Sequence, residues 1–166
     1  NINVIVVTDP NLIEERLLQD KENKIKAVCI VHNETSTGST SNIREVREVL
    51  DHLNHDALLM VDTISGLASM NYEHDNWGVD VTISGSQKGL MLPPGLSFNA
   101  ISKKALSIAK KSGMKRSYWD WEEQIMMNDS GFFPYTPATN LLYGLKESLK
   151  MLNEEGLENV FKRHDR

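Results

Sequence analysis

Three polar clusters follow Val- and Ile-rich runs: His32-Asn33-Glu34-Thr35-Ser36-Thr37-Gly38, Asp62-Thr63-Ile64-Ser65-Gly66 and Ser84-Gly85-Ser86-Gln87-Lys88-Gly89. Asp62 and Lys88 stand 26 residues apart, about one strand-to-strand crossover, so both can face one crevice. A lysine amine on its long stem can condense with an aldehyde. A carboxylate can keep a heterocyclic nitrogen protonated, so that the ring accepts electrons from a carbanion. Pyridoxal phosphate (PLP) requires those two side-chain types, and hydroxyls and amides in the neighbouring loops would serve its phenolic oxygen and phosphate. Each feature also has an ordinary explanation: Asp62 as the cap of a turn, Lys88 as a solvated surface lysine, Thr35 to Gly38 as a turn.

The elements that would position these groups alternate between strand and helix, which predicts an α/β fold with a mainly parallel sheet. Ile2–Thr8 reads as a first strand, with Asp9 capping a helix that starts at Pro10. Ala27–Val31 reads as the second strand. Ile43, Val46, Val49, Leu50 and Leu53 lie on one helical face, started by Asn42 and Glu45 at capping-box spacing. Ala57–Val61 and Val79–Ile83 read as strands, Pro93-Pro94-Gly95 as a turn and Leu96–Ile101 as a last strand. The remainder reads as helical, with Leu141, Leu142, Leu145, Leu149 and Leu152 on one face. Ligands of such a sheet gather outside the carboxyl ends of its strands, where all three clusters fall.

Composition narrows the classes. At 166 residues, 40% hydrophobic and 25% charged, the chain suits one soluble domain. A net charge of −5 with scattered Lys and Arg leaves no basic footprint for nucleic acid. No apolar run is long enough for a membrane helix. Cys29, the single cysteine, sits in an apolar run and reads as a buried core thiol, compatible with a reducing cytoplasm. No metal site is expected.

The runs 32–38, Val61-Asp62-Thr63, Ser84-Gly85-Ser86-Gln87-Lys88 and Pro93-Pro94-Gly95 resemble the class V aminotransferases. So do Pro134-Tyr135-Thr136-Pro137-Ala138-Thr139-Asn140-Leu141-Leu142-Tyr143-Gly144-Leu145 and Glu155-Gly156-Leu157-Glu158-Asn159-Val160, with the serine–glyoxylate and alanine–glyoxylate group nearest. The resemblance implies the large domain of a fold type I PLP enzyme, incomplete at both ends. Residues 1–152 would belong to that domain, and 153–166 would be a helix leading toward a small C-terminal domain.

The implied reaction moves an amino group from a small amino acid, serine or alanine, to a 2-oxo acid such as glyoxylate. Lys88 would join the cofactor aldehyde and shuttle the substrate α-proton, and Asp62 would bind the pyridinium. Thr35 would contact the phenolic oxygen and Gln87 the phosphate. Thr136 would reach the phosphate of the neighbouring subunit's cofactor, which implies a homodimer with sites shared across the interface. A tyrosine normally assists there; alignment puts Phe133 at its position and Tyr135 beside Thr136, a departure from the family pattern. Gln87, where cysteine desulfurases carry histidine, argues against sulfur chemistry.

The family's phosphate-cradling Gly/Ser loop, its stacking aromatic and its substrate-binding arginine do not match any segment of the chain. The chain is therefore expected to be an internal piece that binds PLP poorly and does not turn over alone. The rival readings are another class V PLP enzyme, a non-catalytic α/β phosphate-binding module and a scaffold with the enzyme's fold. A phosphoacceptor module needs an acidic pair after its first strand, and Asp9 supplies one acid that already reads as a helix cap.

Overall fold

The computed structural model describes residues 8–165, and the expected first strand, Ile2–Thr8, lies outside them up to Val7. Helix α1 (Pro10–Leu18) begins where Asp9 accepts a hydrogen bond from the Asn11 N–H. Strand β1 (Ala27–Val31) leads to helix α2 (Ile43–His52), whose cap, Asn42, accepts from the Glu45 N–H. Strands β2 (Leu58–Asp62), β3 (Val81–Gly85) and β4 (Ser97–Ile101) complete a sheet in the order β1-β2-β3-β4. Helices α3 (Lys103–Lys111), α4 (Trp121–Asp129), α5 (Thr139–Glu155) and α6 (Leu157–His164) follow. Gly156, at φ 81°, turns the chain between α5 and α6, a conformation that favours glycine.

The sheet is mainly parallel, as expected: β1, β2 and β3 run together and β4 returns antiparallel. Strand β3 begins and ends two residues later than the apolar pattern indicated. Val79 closes a turn onto His74, while Ser84 and Gly85 stay paired with Phe98 and Ser97 of β4. A polar dipeptide thus remains strand because its antiparallel neighbour satisfies its backbone.

One face of the sheet is packed. Leu17, Ile30, Ile43, Val46, Leu50, Ala57, Leu59, Val61 and Val79 form a core between α1, α2 and the sheet. A second cluster joins Leu90 and Leu92 to Leu152 of α5 and Val160 of α6. The opposite face is only partly covered among the described residues: Val81 is buried, whereas Val31 is 37% and Ile83 38% exposed. Cys29 corrects the reading of a buried thiol: it is exposed, because strand alternation turns it away from Ile30 and from the helices.

Candidate active site

Parallel register brings the three clusters to one edge. Val31 pairs with Asp62, and Asp62 with Ile83, so β1, β2 and β3 all deliver their carboxyl ends there. Thr35 follows four residues after β1, Asp62 is the last residue of β2, and Lys88 lies three residues beyond β3. Asp62 is half-buried; Thr35, Gln87 and Lys88 are exposed.

The ordinary role of Asp62 is realised with half of its carboxylate: Oδ1 accepts from the Ile64 N–H at 2.8 Å and caps the turn that leaves β2. Its Oδ2 has no hydrogen-bond partner among the described residues, nor do the Lys88 amine, the Gln87 amide or the Thr35 hydroxyl. The surrounding hydroxyls are committed. Ser36 donates to Glu34 (2.7 Å), Thr37 to Ser39, Ser41 to the Val31 carbonyl, and Thr40 accepts from Asn33. A carboxylate oxygen, an amine, an amide and a hydroxyl thus stand uncommitted at one strand edge. That donor set fits PLP, which presents a pyridinium, an aldehyde, a phosphate and a phenolic oxygen.

Packing holds the loops that carry these groups. Fully buried Ser86 donates to the Pro93 carbonyl (2.7 Å) and accepts from the Leu96 N–H (3.2 Å), which closes the loop around Lys88. Gly89 presses on the loop after β2: a Cβ there would lie 2.2 Å from the Leu67 carbonyl oxygen, so only glycine allows the approach. Gln87 folds its amide over Gly85, where a Cβ would meet Oε1 at 2.8 Å. Ser65 donates to the Asn33 carbonyl (2.5 Å) and Oδ1 (3.1 Å), tying the loops after β2 and β1. Sequence reasoning placed Ser65, Asn33 and Gly89 in the right clusters without a task. Composition cannot show which loop residue reaches which neighbouring loop.

Behind this edge, on the packed face, His32 is buried against Tyr72 and Trp77, with ring centroids 5.2 and 6.0 Å away. Burial lowers its pKa, and its Nδ1 has no partner. Burial pushes the Tyr72 hydroxyl up to about 12, although it lies 2.6 Å from Thr82 Oγ1.

Thr136 and Tyr135 stand apart. The Tyr135 hydroxyl lies 3.2 Å from Ser117 Oγ and donates to Glu123 at 3.4 Å, and its ring packs on Tyr118. No hydrogen bond among the described residues joins segment 131–137 to the loops of Asp62 or Lys88. Phe132 and Phe133 are exposed beside them, as are Met114, Trp119 and Met126. Among the described residues, no helix is long and apolar enough to cross a membrane.

Comparison with known proteins agrees with this architecture. Residues 1–166 match the family model of aminotransferase class V. A serine–glyoxylate aminotransferase of Methylorubrum extorquens is 54% identical over 160 residues, covering 93% of this chain and 40% of that protein. One from Arabidopsis thaliana is 46% identical over 156 residues, covering 93% of this chain and 39% of the relative. The chain therefore spans about 40% of the length of these curated relatives. The solved alanine–glyoxylate aminotransferase of Nostoc superposes at a TM-score of 0.80 and 31% identity, over 95% of this chain and 41% of that structure. Sequence and fold together place the chain in the class V aminotransferase family, with the fold type I architecture.

Proposed function

We propose that this chain is the central part of the large domain of a PLP-dependent aminotransferase that moves an amino group from serine or alanine to glyoxylate or a similar 2-oxo acid. The observation that carries this reading is the pair of uncommitted groups, Asp62 Oδ2 and Lys88 Nζ, at the carboxyl ends of adjacent parallel strands. The names of the relatives, serine–glyoxylate and alanine–glyoxylate aminotransferase, support the choice of substrates.

When bound, PLP supplies an aldehyde and a ring that stores the electron pair of the broken α-carbon bond. Asp62 holds the proton on the ring nitrogen, which keeps that ring cationic. Lys88 would anchor the cofactor through its aldehyde and would serve as the positioned general base and acid that moves the proton of the substrate α-carbon. Thr35 donates to the phenolic oxygen and Gln87 to a phosphate oxygen. Thr136 from a second copy, with Tyr135 beside it, adds a phosphate contact, so the working unit is a homodimer. The exposed aromatic and Met surface from 114 to 135 supports that assembly. A reducing cytoplasm suits the exposed, unpaired Cys29.

The direct test is to load the intact enzyme with PLP, reduce with borohydride and map the label by peptide mass. Label confined to Lys88, and absent from Lys88→Ala, is expected. Label on other lysines, with transamination intact in Lys88→Ala, would remove Lys88 from the site.

A further inference from the structure

Resting on that PLP reading, we infer that Ser65 is a positioning residue: its hydroxyl, through Asn33, sets the Thr35 hydroxyl at its place relative to Asp62. The segment after β1 is a small projecting turn with a rigid tip. Its neck is the antiparallel bridge between Asn33 and Thr40, with Glu34 N–H donating to the Ser39 carbonyl (2.9 Å) and Ser41 N–H to the His32 carbonyl (2.8 Å). Its tip closes through the Gly38 N–H on the Glu34 carbonyl (2.8 Å) and through the Glu34 carboxylate, which accepts from the Ser36 N–H and hydroxyl. Those same bonds lower the Glu34 carboxyl below its ordinary pKa. The tip therefore moves as one body carrying Thr35, and the neck decides where it points.

Ser65 grips that neck from the neighbouring loop. It donates to the Asn33 carbonyl at 2.5 Å and to Asn33 Oδ1 at 3.1 Å, while Asn33 Nδ2 donates to Thr40 Oγ1 across the neck. Ser65 itself rides a turn continuous with Asp62, since the Thr63 carbonyl accepts from the Gly66 and Leu67 N–H groups. Asp62 and Thr35 are thereby linked by two short rigid bodies and one side-chain joint. The strand ladder adds the His32 N–H on the Asp62 carbonyl (2.9 Å), which fixes the base of the neck but not its tilt. A ring held by Asp62 at its nitrogen and by Thr35 at its phenolic oxygen needs that tilt fixed, because a hydrogen bond weakens steeply with misalignment.

The test reads the cofactor's colour rather than turnover. A hydroxyl donating to the phenolic oxygen stabilises its charge most once the adjoining nitrogen has lost its proton, so losing that donor raises the pH at which the visible band titrates. In the intact enzyme loaded with PLP, Thr35→Ala is expected to raise that pH by roughly one to two units. Ser65→Ala should raise it in the same direction by about half a unit or more, a fraction of the Thr35 effect. Ser65→Thr, which keeps the hydroxyl, should titrate like the parent. Ser65→Ala added to Thr35→Ala should cause no further shift, because nothing remains for Ser65 to aim. An unchanged titration in Ser65→Ala, or a shift that persists in the Thr35→Ala background, overturns the inference and leaves the PLP reading intact. A parent that shows no visible band overturns both.

Discussion

Two aspartates end the same sheet at opposite edges, and the molecule uses them in opposite ways. At the amino edge Asp80 is buried and every oxygen is engaged. Oδ2 accepts from the Leu59 N–H at 3.0 Å and Oδ1 from the Ser102 hydroxyl at 2.8 Å, with Arg47 at 3.8 Å and Lys104 at 3.9 Å. It stitches β2, β3, α2 and the start of α3 together. At the carboxyl edge Asp62 spends one oxygen on a turn and keeps the other uncommitted. Saturated polar groups hold a fold, whereas a half-saturated carboxylate at a strand end is available for a ligand.

The largest effects should come from exchanging the fates of these two residues. Asp80→Ala removes the more distant of the two carboxylates beside Arg47, which keeps Asp51 at 2.6 Å, and leaves the buried Leu59 N–H unpaired. Leaving a buried donor without its acceptor costs about 1–3 kcal/mol of folding stability. Asp62→Ala loses one turn cap, about 1 kcal/mol, yet in the intact enzyme should cut transamination on the order of a hundredfold to several thousandfold through the lost pyridinium partner. Urea unfolding and rate measurements on both variants decide it. An Asp62 variant within about tenfold of parental rate, or an Asp80 variant of parental stability, would collapse the distinction.

A smaller effect is expected away from the sheet, on the surface that neither aspartate touches. Trp119 is 83% exposed, Met114 75% and Phe132 65%. Apolar side chains gathered like this mark an interface. Phe132→Ser in the full chain should weaken a homodimer, seen in light scattering as a monomer fraction that grows on dilution. Parental protein that stays monomeric well above micromolar concentration would count against the shared site.

The alternation of elements, the parallel core and the helix caps at Asp9 and Asn42 were legible because period and capping chemistry are local. The strand-end position of Asp62 and Lys88 was legible for the same reason. Cys29 was misread because an apolar run does not reveal which face of a strand is covered. Asp80 went unnoticed because its four partners come from Leu59, Ser102, Arg47 and Lys104, residues far apart in sequence. The Ser65–Asn33 joint is a contact between loops 32 residues apart, which no periodicity encodes. What remained hidden in the sequence is the set of contacts between elements; the elements themselves were visible.

His32 sharpens the comparison, because it shares the carboxyl edge with Asp62 but turns to the packed face. If face rather than edge decides a residue's role, His32 is a fold residue. Its ring is buried against Tyr72 and Trp77, and burial holds its pKa below the ordinary 6.5. The unfolded chain therefore takes up a proton near pH 6.5 that the native state still refuses, and stability falls as pH drops from about 7 through that range. The loss levels off once the pH passes below the native-state pKa. Tyr72, held near 12, stays neutral throughout and contributes no slope. His32→Asn should lower the melting temperature at pH 8 by loosening the aromatic stack. It should also flatten the decline between pH 7 and 5, a difference of roughly a few degrees. The other four histidines are common to both proteins, so the difference between the two slopes belongs to His32. Parallel melting curves across that interval would show that the buried ring does not titrate there. A variant of parental stability that lost activity instead would move His32 from the fold to the site.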